Sequence, residues 1–299
     1  MKQQTSSSLL GSLLVVFAAA LWGCTGLFVG RVTAAGLTSM ELVVLRGLIT
    51  AAVLTPVMLA IDPALFRVRM KSAWCFLGSG LCGMLFFNYC YYSNIQETSP
   101  AVAVVLLFTS PVFVTLLARL LFLEKITWNK VLAVLLILVG CALVTGLMGQ
   151  SDTITRRGLI LGLCSGFGYA LYTVFSRCGL NRGYSPVSVT FYTFLLSALG
   201  GLFLVDHRHL MDVVTTAGWP LWGPLVAYVL VGTVGAYLMY TAGLKRVETS
   251  TASVLKAVEP ASTTLLQIAV LGIWPDTTAL IGVGVIMLAI VILNLRRRK

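Results

Sequence analysis

Lys256 and Glu259 stand three positions apart inside a mostly apolar run, Thr249–Ile273, and Pro260 follows at once. The run exceeds the roughly 20 residues that a helix needs to cross the hydrocarbon core of a bilayer. Residues three apart share one helix face. An ionised group in a membrane span costs several kcal/mol, so such groups are rare and mark functional sites. Pro260 has no N–H, so the carbonyl of Lys256 is expected to lose its helical partner and the helix to kink there. That face would offer an ammonium, a carboxylate and a carbonyl together. Three roles stay open for the pair: mutual neutralisation that pins the kink, contact of Lys256 with a carboxylate or other anionic group of a solute, and proton coupling through Glu259.

Other polar residues in apolar runs extend the set. Arg46 lies five residues after Glu41, and a structural ion pair between them is preferred to ligand contact. Asn88 must find a hydrogen-bond partner away from lipid. Trp22, Tyr169, Tyr91 and Tyr240 lie in or near apolar runs, where aromatic faces can stack on a planar solute or hold a cation. Plain packing is the competing reading for each. Arg119, one turn from Glu124, is expected to snorkel to the interface. Trp128, Trp219, Trp222 and Trp274 read as interfacial belt anchors. His207 and His209 fall in "DHRH", which reads as a solvated loop rather than a metal site. The seven cysteines form no CxxC pair and no metal-ligand spacing, and read as small buried apolar residues.

These residues need elements to hold them. The chain has 299 residues, 58% hydrophobic and only 10% charged, against about 25% charged in soluble domains. Hydropathy marks roughly ten candidate spans: 9–30, 40–61, 73–93, 99–122, 128–147, 158–177, 185–205, 219–243, 249–273 and 277–295. The fold class is therefore an all-α membrane protein. The first run is too long for a cleaved signal peptide and has only Lys2 before it. With the N-terminus cytoplasmic, fourteen of 21 basic residues fall inside, four outside and three in or near spans. That is the positive-inside pattern, and it places both termini in the cytoplasm. The closing Arg296–Lys299 reads as a tail for anionic lipid headgroups, so the net charge of +11 does not imply nucleic acid.

The chain also resembles itself. A shift of 149 residues places Tyr91 on Tyr240, Ala103 on Ala252, Leu106 on Leu255, Pro111 on Pro260 and Ile137 on Ile286, and a shift of 147 places Trp22 on Tyr169. Pro111 repeats the expected kink in the first half. Each half has five spans, an odd number, so the second half must enter the membrane from the opposite side. Inverted repeats of this kind build many secondary transporters, with the solute near the midplane and helix interruptions at matched places marking its site. "GSGLCG" (78–83) and "GLCSGFG" (162–168) suit close helix approach.

The stretches "ALWG" (20–23), "TSPAVAVVLLFTSPVF" (98–113), "LEKITWNKVLAVLLILVG" (123–140) and "YLMYTAGLKRVETSTASVLKAVEP" (237–260) resemble the EamA-type domains of the drug/metabolite transporter superfamily. The likeness covers 9–147 and 158–295. It implies ten transmembrane helices as two inverted five-helix repeats, a central cavity between the halves, and a multi-pass location in the inner membrane. Glu124 matches Ile273 under the shift of 149, whereas the pattern usually carries an acid at both positions.

The resulting expectation is a secondary transporter that moves a small polar metabolite, first an amino acid or related carboxylate, outward by alternating access. Lys256, Glu259, Trp22, Tyr169, Tyr240, Tyr91 and Asn88 would line its site. The alternatives are an exporter of cationic or aromatic amphiphiles and a non-transporting membrane sensor or scaffold. No phosphate loop, HExxH or nucleophile elbow occurs, so neither an enzyme nor an ATP-driven pump is expected. No cofactor or metal is expected. The expected partners are a small-molecule solute, the lipid bilayer and, as a further option, a second copy in a homodimer.

Overall fold

The computed structural model describes residues 2–147, 155–272 and 274–294. The basic tail at 296–299 and Ile273 lie outside the described residues. Every regular element among those described is helical. The first half holds α1 (Lys2–Gly23), α2 (Gly26–Ala34), α3 (Ser39–Ile61), α4 (Ala73–Leu77), α5 (Phe86–Glu97), α6 (Pro100–Leu107), α7 (Ser110–Phe122) and α8 (Trp128–Val144). The second holds α9 (Arg156–Asn181), α10 (Pro186–Gly201), α11 (His207–Thr216), α12 (Gly218–Tyr228), α13 (Ala236–Leu244), α14 (Thr249–Leu255), α15 (Val258–Leu271) and α16 (Thr277–Asn294). Among the described residues, seven helical segments are long and apolar enough to cross a membrane, and Trp128–Val144 and Thr277–Leu293 are shorter apolar helices.

Local chemistry sets the boundaries. Ser99 and Ser185 cap α6 and α10 through their side chains, each with a proline in the first turn, where the missing N–H costs nothing. Thr127 and Thr155 cap α8 and α9 in the same way. Two π-helical stretches interrupt longer helices: Gly78–Leu85 joins α4 to α5, and Val229–Gly235 joins α12 to α13. Under the shift of 149, Val229–Gly235 falls on 80–86, so these irregular turns recur with the repeat. The breaks recur too. Phe108 and Thr109 separate α6 from α7, and Lys256 and Ala257 separate α14 from α15.

Pro111 and Pro260 lie in the first turn after those breaks, as the kinks required. The carbonyl of Lys256 is not left free, however. The turn tightens, and the N–H of Glu259 donates to it at 2.9 Å. A three-residue hydrogen bond thus replaces the four-residue one that proline forbids.

Packing across the halves follows the same symmetry. Helix α1 packs on α13 and α15 of the second half, and α9, which starts that half, packs on α5 and α7 of the first. Helices α3 and α10 pack together, as do α8 and α16. The last pair meets at Gly140 and Gly282, where an added Cβ would stand 2.6 Å from Ile286 and 2.7 Å from the Gly140 carbonyl oxygen, respectively. Only glycine allows that approach. Ile137 and Ile286, matched by the repeat, are both fully buried.

Two expectations change here. "DHRH" is not a loop: Asp206 caps α11 by accepting from the N–H groups of Arg208 and His209, so both histidines sit in a helix. Trp128, Trp219 and Trp274 are 78%, 81% and 76% exposed, as belt residues should be, but Trp222 packs against the cluster around Leu221, Leu225 and Tyr228.

Candidate functional site

The break after α14 places Lys256 against aromatic rings. Its Nζ lies 3.5 Å from the centroid of Tyr169, 5.3 Å from Phe108 and 5.8 Å from Trp22. Glu259, one turn on, brings Oε2 to 3.8 Å from that Nζ. The lysine side chain is 5% exposed and the glutamate 28%. Cation–π contact in a desolvated place adds about 2 kcal/mol or more, which offsets part of the cost of burying the ammonium.

These groups form one wall of a cavity of about 280 Å³ between the two halves. Trp22, Tyr169, Tyr91, Asn88, Lys256 and Glu259 all line it, so six of the seven expected site residues meet there. Tyr240 does not. It is fully buried behind Trp22, with ring centroids 5.3 Å apart, and stacks on Tyr172. The polar edges of Trp22 (Nε1) and Tyr169 (Oη) and the Glu259 Oε2 are buried without a hydrogen-bond partner.

Arg46 lines the same cavity, and this overturns its expected pairing with Glu41. At 100° per residue, positions five apart in a helix point about 140° away from each other. Glu41 instead closes a capping box at the start of α3, accepting from the Thr38 N–H at 2.8 Å while its own N–H donates to the Thr38 hydroxyl. Its other oxygen meets His209 Nδ1 at 2.7 Å. Arg46 donates to the Tyr228 hydroxyl at 2.8 Å and, more weakly, to Asn88 Oδ1 at 3.4 Å, while the Asn88 amide donates to the Met84 carbonyl. Asn88 thus finds the partners that its place required.

Tyr92, Tyr228 and Tyr237 also line the cavity and were not anticipated. A signal existed for Tyr237, which the shift of 149 matches to Asn88. Tyr228 matches Ser79 and carried none.

The two ends of the bundle differ. Towards α3 and α11 lies a second cavity of about 600 Å³, lined by Glu41, Glu97, Asp206 and His209 among others, and Tyr92 belongs to both walls. The opposite end is tied across the halves. Glu124, just past α7, accepts from the N–H groups of Thr249 and Ser250 at 2.7 and 3.1 Å and from the Ser250 hydroxyl at 2.5 Å. Helix α14 has no side-chain cap of its own from Glu248, so the other half supplies it. Burial pushes the Glu124 carboxyl up, but the hydrogen bonds from Ser250 and Thr249 outweigh it and hold the group below its ordinary value. Lys130 is buried and pairs with Glu248 at 2.9 Å. Arg177 donates to the Leu244 and Val247 carbonyls. A third cavity, about 700 Å³ and lined by Arg67, Arg69, Lys71 and Arg182, opens at the 63–72 and 182–188 turns and shares no wall residue with the central one.

The sequence pattern of the EamA-like transporter family matches residues 9–146 and again 156–295. An uncharacterised inner membrane transporter of Salmonella typhimurium, YicL, is 27% identical over 297 residues, covering 97% of this chain and 96% of the relative. The uncharacterised transporter YxxF of Bacillus subtilis is 25% identical over 221 residues, 73% of this chain and 69% of its own. A solved crystal structure superposes with a TM-score of 0.78 at 20% identity over 97% of both chains, a likeness of fold. Two matches to one family, in tandem over nearly the whole length, identify the chain as a multi-pass membrane protein of the EamA-like transporter family.

Proposed function

We propose that the chain is a secondary transporter of ten spans in two inverted five-helix repeats, moving a small carboxylate-bearing metabolite, such as an amino acid, outward by alternating access. The observation that carries this reading is the cavity itself. It lies between the halves, beside matched helix breaks, and its wall brings charged side chains together with aromatic ones inside apolar segments. Its acidic and basic side chains are Arg46, Lys256 and Glu259, two basic against one acidic. That balance favours an anionic or zwitterionic solute over the cationic amphiphile of the alternative reading. The positive-inside distribution supports a cytoplasmic Glu124 end, and the relative YicL supports the inner membrane.

The test is flux in proteoliposomes with wild type, Lys256→Ala, and the double variant Lys256→Met with Glu259→Gln. Carboxylate-bearing solutes should cross with wild type, and Lys256→Ala should lower the rate at least tenfold. The double variant removes both charges, so it should recover the stability that Lys256→Ala loses by orphaning Glu259 without recovering transport. Full transport by the double variant would reduce the pair to a structural role. A scaffold would give no flux under any gradient.

A further inference from the structure

The two basic groups of the cavity are not equivalent. Lys256 has a carboxylate at 3.8 Å on its own helix. Arg46 has none: among the described residues no Asp or Glu oxygen reaches ion-pair distance of its guanidinium. Its partners are neutral, the Tyr228 hydroxyl and Asn88 Oδ1, with the Met84 sulfur at 3.9 Å. Its Nε–H donates to nothing, although the residue is only 6% exposed. The rings of Phe194 and Tyr228 stand 5.4 and 5.9 Å from its Cζ and fix the plane of the fork.

A guanidinium stays protonated in any such place, so it cannot escape burial by losing its proton. Leaving it without a counterion is costly unless something else supplies the negative charge. Packing alone would be served by a neutral residue here. What a planar, pre-oriented fork with an unused N–H does well is receive a carboxylate in two-point contact.

Building on the transport reading above, we infer that Arg46, rather than Lys256, anchors the solute carboxylate, and that the favoured solute carries one net negative charge. With Glu259 already offsetting Lys256, the remaining formal charge of the cavity is that of Arg46, and a monoanion neutralises it. Lys256 and Glu259 then act as a pair on the polar remainder of the solute, and the aromatic wall of Trp22, Tyr91 and Tyr169 receives its apolar part.

The test holds shape constant and varies charge. Phenylacetate, phenylacetamide, phenylalanine and phenethylamine are titrated against the purified full-length protein, with binding read from thermal shift. Wild type should bind phenylacetate at least tenfold more tightly than phenylacetamide and phenethylamine. Arg46→Gln should keep phenylacetamide binding within about threefold and abolish the preference for the anion. A purely structural arginine would instead weaken both probes alike, and that result overturns the inference. Should Arg46→Gln not fold, Arg46→Lys carries the test. It keeps the charge and loses the fork, so phenylacetate affinity should fall about tenfold, and an unchanged affinity overturns the inference. If Lys256→Ala erases the preference for phenylacetate while Arg46→Gln leaves it, this inference fails and the transport reading stands with Lys256 as the anchor. If only phenethylamine binds, both fail.

Discussion

At one end of the bundle Glu124, its side chain 9% exposed, gives both oxygens to the start of a helix from the other half of the chain. At the other end Glu41 gives its oxygens to its own helix and to His209, whose side chain is 44% exposed. Both are single carboxylates at helix termini, and they do opposite things. Glu124 ties the halves together where the Lys130–Glu248 pair adds a further cross-link, and no wall residue is shared between the central cavity and the basic cavity at the 63–72 and 182–188 turns. Glu41 completes a local cap beside a cavity of about 600 Å³ that shares Tyr92 with the central one. On the transport reading proposed above, the end tied between repeats is the closed one and the end beside Glu41 the open one. In the proposed topology the molecule faces outward.

The largest expected effect is at the closed end. Glu124→Ala leaves two helix-start N–H groups and a serine hydroxyl without their acceptor, and should cost roughly 2–4 kcal/mol in thermal unfolding. A loss below about 1 kcal/mol would mean that the two ends do not differ in strength. Acid should act through the same group. Its carboxyl is held below the usual glutamate value, so its contribution is complete above about 4.5. It should be lost as pH falls from there through the lower folded value, giving a drop in melting temperature that Glu124→Gln lacks. The open end should respond least and in the opposite sense. The hydrogen bond and charge of Glu41 raise the His209 imidazole above its ordinary value. Its contribution is therefore present below about 6.5 and lost as pH rises through the raised value. A shallow decline in melting temperature above neutrality, absent in His209→Gln, checks this.

Much of this was legible in the sequence. The repeat carried Pro111 and Pro260 to matched helix breaks, and six residues chosen for being polar or aromatic inside apolar runs meet in one cavity. Arg46 was misread because sequence proximity to Glu41 stood in for geometry, and a spacing of five does not make a helix pair. The π-helical stretches escaped notice because glycine-rich segments promise close packing without specifying the winding. Glu124 stood out only as an asymmetry against Ile273. Its role needs the start of α14, 125 residues later, to lack a side-chain cap, and that depends on tertiary placement.

The most direct test of the outward-facing, alternating reading is labelling of Ile95→Cys, a cavity-wall position, in a background with the seven native cysteines replaced. A membrane-impermeant maleimide is added from one side at a time to oriented vesicles. Labelling should occur from the Glu41 side alone, and adding Glu124→Ala should slow it there and open it from the other side. Equal labelling with and without Glu124, or labelling first from the Glu124 side, would contradict a transporter held outward-facing by that latch.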